Sequence, residues 1–144
     1  MTQKSKFQEI VETIAEDNEW SINEIDEAQA VIDFETESGS TQTLYISLME
    51  DEMVEFDIPS AAIFESEDDI AHEASSLLLK RNANRNYGYW ALEEIEEKWC
   101  FSFMFMTDLE VLEASESEAI GQIVDIMVDE CGQFDQIWNE MMQE

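Results

Sequence analysis

Apolar residues at Phe7, Ile10, Val11 and Ile14 recur at helical spacing, with acids on the opposite face. The spacing predicts a first helix that ends near Asp17 or Asn18. Beyond Trp20 and Ile22 the period falls to two. Ala28, Ala30, Ile32 and Phe34 alternate with Gln29, Asp33 and Glu35, which predicts a strand with one wet face. Ser38-Gly39-Ser40 is a turn signal, and a second strand returns through Leu44, Ile46 and Leu48. The polar turn Glu50-Asp51-Glu52 leads to Val54, Phe56 and Ile58. Pro59 has no N–H to give to a ladder and is expected to close that third strand. Strands joined by such short turns predict an antiparallel meander.

Ser66 then reads as an N-cap, with Asp69 three residues on and Glu67 and Asp68 complementing the helix dipole. Ile70, Ala74, Leu77 and Leu78 follow at helical spacing, and Lys80 and Arg81 fall near the C-terminal end, where positive charge is favourable. Asn82 to Asn86 breaks the pattern, Gly88 punctuates it, and Tyr89 to Ile95 predicts a fourth strand. The fifth, Trp99 to Met106, puts Trp99, Phe101, Phe103 and Phe105 on one face and Cys100, Met104 and Met106 on the other. Both faces are apolar, so both are expected to be covered, by a central position in the sheet or by another subunit. Ser115 and Glu118 form a capping box ahead of Ile120, Val124, Met127, Cys131, Phe134, Trp138 and Met141, a heptad-like seam. The order α-β-β-β-α-β-β-α predicts a single α+β domain over residues 1–144, an antiparallel sheet of about five strands with helices packed on it.

Charge narrows the function more than any motif does. The chain carries 36 Asp or Glu against 6 Lys or Arg, a formal net charge of -30. Direct binding to nucleic-acid phosphates needs a basic face and is excluded, and an anionic membrane surface is disfavoured by the same sign argument. The chain is nonetheless 44% hydrophobic and 10% aromatic, enough for a real core, so a disordered acidic tail is not expected. No stretch reaches the ~18–20 apolar residues of a membrane span. Lys4 and Lys6 near the start are followed by Glu9, Glu12, Glu16 and Asp17, not by the apolar run of a signal peptide. Cys100 and Cys131 form no C-x-x-C pair. The expectation is a cytoplasmic protein with reduced, buried thiols and no cofactor.

The catalytic templates fail: there is no Walker loop, no G-x-G-x-x-G and no G-x-S-x-G elbow. The single histidine, His72, shares a helix with Asp68 and Ser75, but residues on one short helix face rarely converge as a triad. Asp69 and His72 have the i, i+3 spacing of di-metal carboxylate helices, yet such sites need two such pairs. The runs Glu50-Asp51-Glu52 and Glu65 to Asp69 lack the ligand alternation and fixed Gly of a calcium loop. No catalytic residue and no metal ligand is therefore assigned. Among so many acids no feature selects a catalytic pair; a pocket gathering two or more with raised pKa would point to an enzyme.

One window stands apart. Between Glu73 and Glu93 there is no acid, and it holds Lys80, Arg81 and Arg85, half of all the bases. Such an island can match a helix dipole, neutralise the protein's own acids or those of a symmetry mate, or hold an acidic partner segment.

The order of elements resembles the type III secretion chaperone-like fold, and within it the YbjN-type domains. The residues that carry the resemblance are Leu77-Leu78-Leu79-Lys80-Arg81-Asn82 leading through Gly88-Tyr89-Trp90-Ala91-Leu92, then the apolar strand Trp99 to Met106 and the helix from Ser115. The resemblance implies no catalytic residues. Secretion chaperones of similar size are acidic cytoplasmic homodimers that hold an extended effector segment on apolar patches, and YbjN-type members are linked to bacterial regulation.

Three function classes follow. The first is a non-enzymatic protein-binding module, chaperone-like or regulatory, acting as a homodimer on an extended partner segment. Its candidate partner or dimer surface comprises Lys80, Arg81, Arg85, Trp99, Phe101, Phe103 and Trp138, with the Ile120 to Met141 seam packing either on its own sheet or on a second copy. The second is a nucleic-acid mimic that captures a basic protein. The third is an enzyme with an unrecognised carboxylate site.

Overall fold

A computed structural model describes residues 4–36, 40–84 and 87–143. Along the chain run α1 (Lys6–Asp17), β1 (Ile22–Ile25), β2 (Gln29–Glu35), β3 (Thr41–Leu48), β4 (Met53–Phe64), α2 (His72–Asn82), β5 (Tyr89–Ile95), β6 (Lys98–Asp108), α3 (Leu109–Ala114) and α4 (Ser117–Met142). The six strands form one sheet in the order β1-β2-β3-β4-β6-β5, antiparallel throughout. The α+β class and the meander stand as expected, with one strand more. Ile22–Ile25 is too short to show a period, and its pairing with β2 is interrupted by a register shift. Of the expected turn after β2, Ser38 and Gly39 lie outside the described residues.

The helices lie on one face of the sheet. Ala30, Ile32, Leu44, Ile46, Val54, Phe56, Ile58, Trp90, Phe101 and Phe103 project to that side. They meet Phe7, Val11 and Ile14 of α1, Leu78 of α2 and the α4 seam from Ile120 to Trp138 in one buried cluster. The seam thus packs on its own sheet, and Met141 sits at its margin. Alternation put the correct half of each strand inside because burial follows the two-residue pleat.

Three expected boundaries shift, each for a local reason. Pro59 does not close its strand: β4 runs on to Phe64 through a bulge between Pro59 and Ile63, the kind of position at which a strand tolerates proline. α4 anchors that bulge, since Asp135 accepts from the Ala61 amide at 2.8 Å and the Gln42 amide at 3.0 Å. Ser66 only precedes a 3₁₀ turn, Glu67–Asp69, without a side-chain capping bond, and α2 begins at His72. Ser115 does not cap α4, because its hydroxyl donates back to the Val111 carbonyl at 2.7 Å and so closes the unforeseen α3. Elsewhere α1 opens on a capping box of Ser5 and Gln8.

Gly88 precedes β5 with φ +81°, and a Cβ there would lie 2.5 Å from the Phe103 ring, so both conformation and space require glycine. The β5–β6 hairpin turns through Glu96 and Glu97, at φ 50° and 70°. Such a two-residue turn normally recruits Asn-Gly.

Candidate functional site

Odd-numbered residues of β3 and β4, and the matching positions of β5 and β6, face away from the helices. In a row across the sheet Tyr45 pairs with Asp57, Asp57 with Met104, and Met104 with Tyr89. Beside this row Glu55 pairs with Ser47 and Met106; on the other side Cys100 pairs with Ile63 and Glu93. Glu93 is thus four residues along β6 from the level of Asp57, yet the carboxylate oxygens of Glu55, Asp57 and Glu93 lie within 4.8 Å of one another. The small side chains of Ala91 and Ser102 lie between these two levels of the sheet.

The result is a hollow of about 700 Å³, with Tyr45, Met49, Pro59, Ile63 and Ile95 beside the three carboxylates. No helix residue lines it, and Lys98 is its only base among the described residues. Met49, Ile63 and Ile95 are exposed, as are Tyr89 and Met106 on the same face. An apolar rim therefore surrounds an acidic floor.

That floor is electrostatically unusual. Asp57 is 9% exposed, and its Oδ1 has no hydrogen-bond partner among the described residues. Burial first, then a hydrogen bond and charge from Glu93 and the charge of Glu55, push its carboxyl up to about 9, against a smaller opposing bond from Ser102. Burial and Glu93 also raise Glu55. The Tyr89 phenol is raised by burial and by all three acids, and the Cys100 thiol chiefly by burial. Asp57 is thus held as a neutral acid near pH 7, with its ionised form available to any cation that replaces the proton.

The residues singled out from the sequence lie elsewhere. Phe101, Phe103 and Trp138 are 5%, 0% and 9% exposed and belong to the core under the helices, so a partner surface cannot be built from them in this fold. Trp99 is half-buried at the margin of that core. Arg81 is engaged internally: its Nε donates to Glu130 Oε2 at 2.7 Å, and its Nη2 reaches Gln133 at 3.1 Å. Glu130, 1% exposed, also accepts from the Trp90 indole at 2.8 Å. The basic island thus neutralises one of the protein's own acids and ties α2 to α4 and β5. Lys80 is exposed on α2, and Arg85 lies outside the described residues. His72 lies 3.4 Å from the Ser76 hydroxyl of its own helix, its one hydrogen-bond contact among the described residues. Both cysteines are buried and free. No helix is long and apolar enough to cross a membrane.

Sequence reasoning passed over Glu55, Asp57 and Glu93. A signal existed for two of them, since Glu55 and Asp57 occupy alternate positions between the apolar Val54, Phe56 and Ile58. Nothing in the sequence brings Glu93 to them.

No protein-family model matches the chain, and no curated protein matches it. Among solved structures it is similar to the crystal structure of YbjN, a proposed transcription regulator from E. coli. The TM-score is 0.63 at 14% sequence identity, covering 92% of this chain and 90% of that one. The fold is therefore YbjN-like, as the order of elements suggested. At that identity the likeness speaks for the fold and carries no activity, partner or link to secretion.

Proposed function

We propose that this protein is a non-enzymatic binding module, chaperone-like or regulatory, that holds an extended partner segment against the helix-free face of its sheet. The observation that carries the reading is the hollow itself: exposed Met49, Ile63 and Ile95 around carboxylates, on a face that no helix of the fold covers. Exposed apolar groups gathered on one face mark a docking surface more often than a chance of composition. The regulatory description of YbjN is compatible with such a role. With a net charge of -30, the partner is a basic or neutral chain, and a cytoplasmic setting belongs to the same proposal.

The homodimer expected from the apolar surplus belongs to the same proposal, outside this face. Two copies meeting through it would set Glu55, Asp57 and Glu93 against the same three acids, which opposes self-pairing. Sedimentation that finds only monomer at micromolar concentration removes the dimer and leaves docking intact. Docking is tested with a synthetic decapeptide alternating Leu and Ser around one central Lys. Ile63→Glu and Ile95→Glu are expected to abolish its binding while leaving the melting temperature near that of the wild type. Undiminished binding by both variants removes the reading.

A carboxylate enzyme is the second reading, because two acids of raised pKa, Glu55 and Asp57, do line one pocket. Turnover of any small substrate that is lost in Asp57→Asn would favour the enzyme.

A further inference from the structure

The acid cluster is more specific than a greasy docking face needs. Three carboxylates on two strands converge within 4.8 Å, and one of them, Asp57, is 9% exposed with an Oδ1 that has no hydrogen-bond partner among the described residues. Burying a carboxyl oxygen without a hydrogen bond is costly. Natural folds retain such groups chiefly where something else supplies the missing bond.

The surroundings say what that something is. A divalent cation takes six or more oxygens, usually backbone carbonyls and waters beside carboxylates. Here the hollow of about 700 Å³ is far larger than an ion needs. Its walls beside the acids are aliphatic: Met49, Pro59, Ile63 and Ile95. A long aliphatic stem ending in a cation matches both parts at once, stem along the wall and charge on the floor. Lys98, the one base that lines the hollow among the described residues, is drawn outward to Glu65 at 3.6 Å and leaves the floor uncompensated.

We propose that Glu55, Asp57 and Glu93 receive the ammonium or guanidinium of a single lysine or arginine of the docked segment, its stem lying along Ile63 and Ile95. The inference rests on the docking reading above and adds the chemistry that selects the partner. Within an otherwise apolar extended segment, one basic residue fixes the register, because only one position can reach the cluster. The remaining acids of the coat act at longer range and steer basic chains toward the face. A second copy of this protein is a poor occupant, being acidic itself.

The test uses the full chain and three decapeptides that differ at the central position: Lys, Arg, or norleucine, which keeps the lysine stem and lacks the charge. Affinities are measured by fluorescence anisotropy at fixed salt. The Lys and Arg peptides are expected to bind the wild type about tenfold or more tightly than the norleucine peptide, the worth of one charge-assisted contact. In Asp57→Asn and, independently, in Glu93→Gln the preference is expected to fall to about twofold or less, with norleucine binding unchanged. Circular dichroism melts confirm that both variants are folded. Equal binding of charged and uncharged peptides to the wild type overturns the inference and spares the docking reading; no binding of any peptide overturns both. Displacement of the Lys peptide by equimolar Ca²⁺ or Mg²⁺ assigns the cluster to a metal ion instead, and overturns the inference as well.

Discussion

Asp57→Asn isolates the electrostatics of the open face. In the unfolded chain the Asp57 carboxyl titrates near its ordinary value of 3.8, and in the fold it is pushed up to about 9, first by burial and then by Glu93 and Glu55. Because the folded value is the higher one, its contribution to stability is fully present below about pH 4. It is lost progressively as pH rises toward 9, since unfolding then releases a proton that the folded state must hold. An isolated group would lose about 1.4 kcal/mol per pH unit in that window. Between pH 4 and pH 7, with solvent reaching part of the side chain, the loss is on the order of 2–3 kcal/mol. Asparagine reproduces the shape and neutrality of the protonated acid and does not titrate. The variant is expected to match the wild type near pH 4 and to melt roughly 5–10 °C higher at pH 8. The assay is a series of thermal melts from pH 4 to 9 at constant ionic strength, with Glu93→Gln as a companion that should flatten the wild-type slope in part. Tyr89 and Cys100 are themselves pushed up by Asp57, so their contribution enters the difference at the alkaline end, and the comparison is read chiefly below about pH 8. Parallel pH profiles for wild type and Asp57→Asn would refute the reasoning.

Other consequences follow from features elsewhere in the fold. Arg81→Ala removes the two-point ion pair to the buried Glu130 while the Trp90 indole still donates to it; urea denaturation is expected to show a loss of about 1.5–3 kcal/mol, and under about 0.5 kcal/mol would contradict the assignment. Replacing Glu96-Glu97 by Asn-Gly relieves two left-handed residues at the β5–β6 turn and is expected to add roughly 1–2 kcal/mol, read from the same denaturation midpoints. Added NaCl up to roughly 0.2 M should raise the melting temperature by screening the acidic coat, and a flat or falling curve would contradict self-repulsion. Partner binding that weakens steeply over the same salt range, yet survives Ile63→Glu, would favour nucleic-acid mimicry over docking in the hollow.

The fold was legible where burial imposes a period. Ala30 with Ile32, Leu44 with Ile46, and Phe101 with Phe103 each sit inside because alternate strand positions share a face, and the α4 seam from Ile120 to Trp138 is buried because its steps keep one helix face. The boundaries were less legible, since competing hydrogen bonds decide them. Ser115 could cap α4 by spacing alone, but α3 claims its hydroxyl. Pro59 could end a strand, but α4 supports a bulge there through Asp135. The aromatic run Trp99 to Phe105 drew notice as a surface because its partners are distant in sequence: Phe101 meets Phe64 and Phe134, and Trp90 meets Phe103. The acid cluster was the least visible. Its members are ordinary wet-face residues of β4 and β5, and they meet only in the assembled β4–β6–β5 ladder, not in any local pattern.

Amide-resolved NMR titration of the labelled protein with the central-Lys decapeptide tests the docking face most directly. Shifts concentrated on Tyr45, Asp57, Ile63, Glu93 and Cys100, with α1 and the outer face of α4 undisturbed, are the predicted result. Shifts confined to α2 and the helical layer, with those strand residues silent, would contradict it.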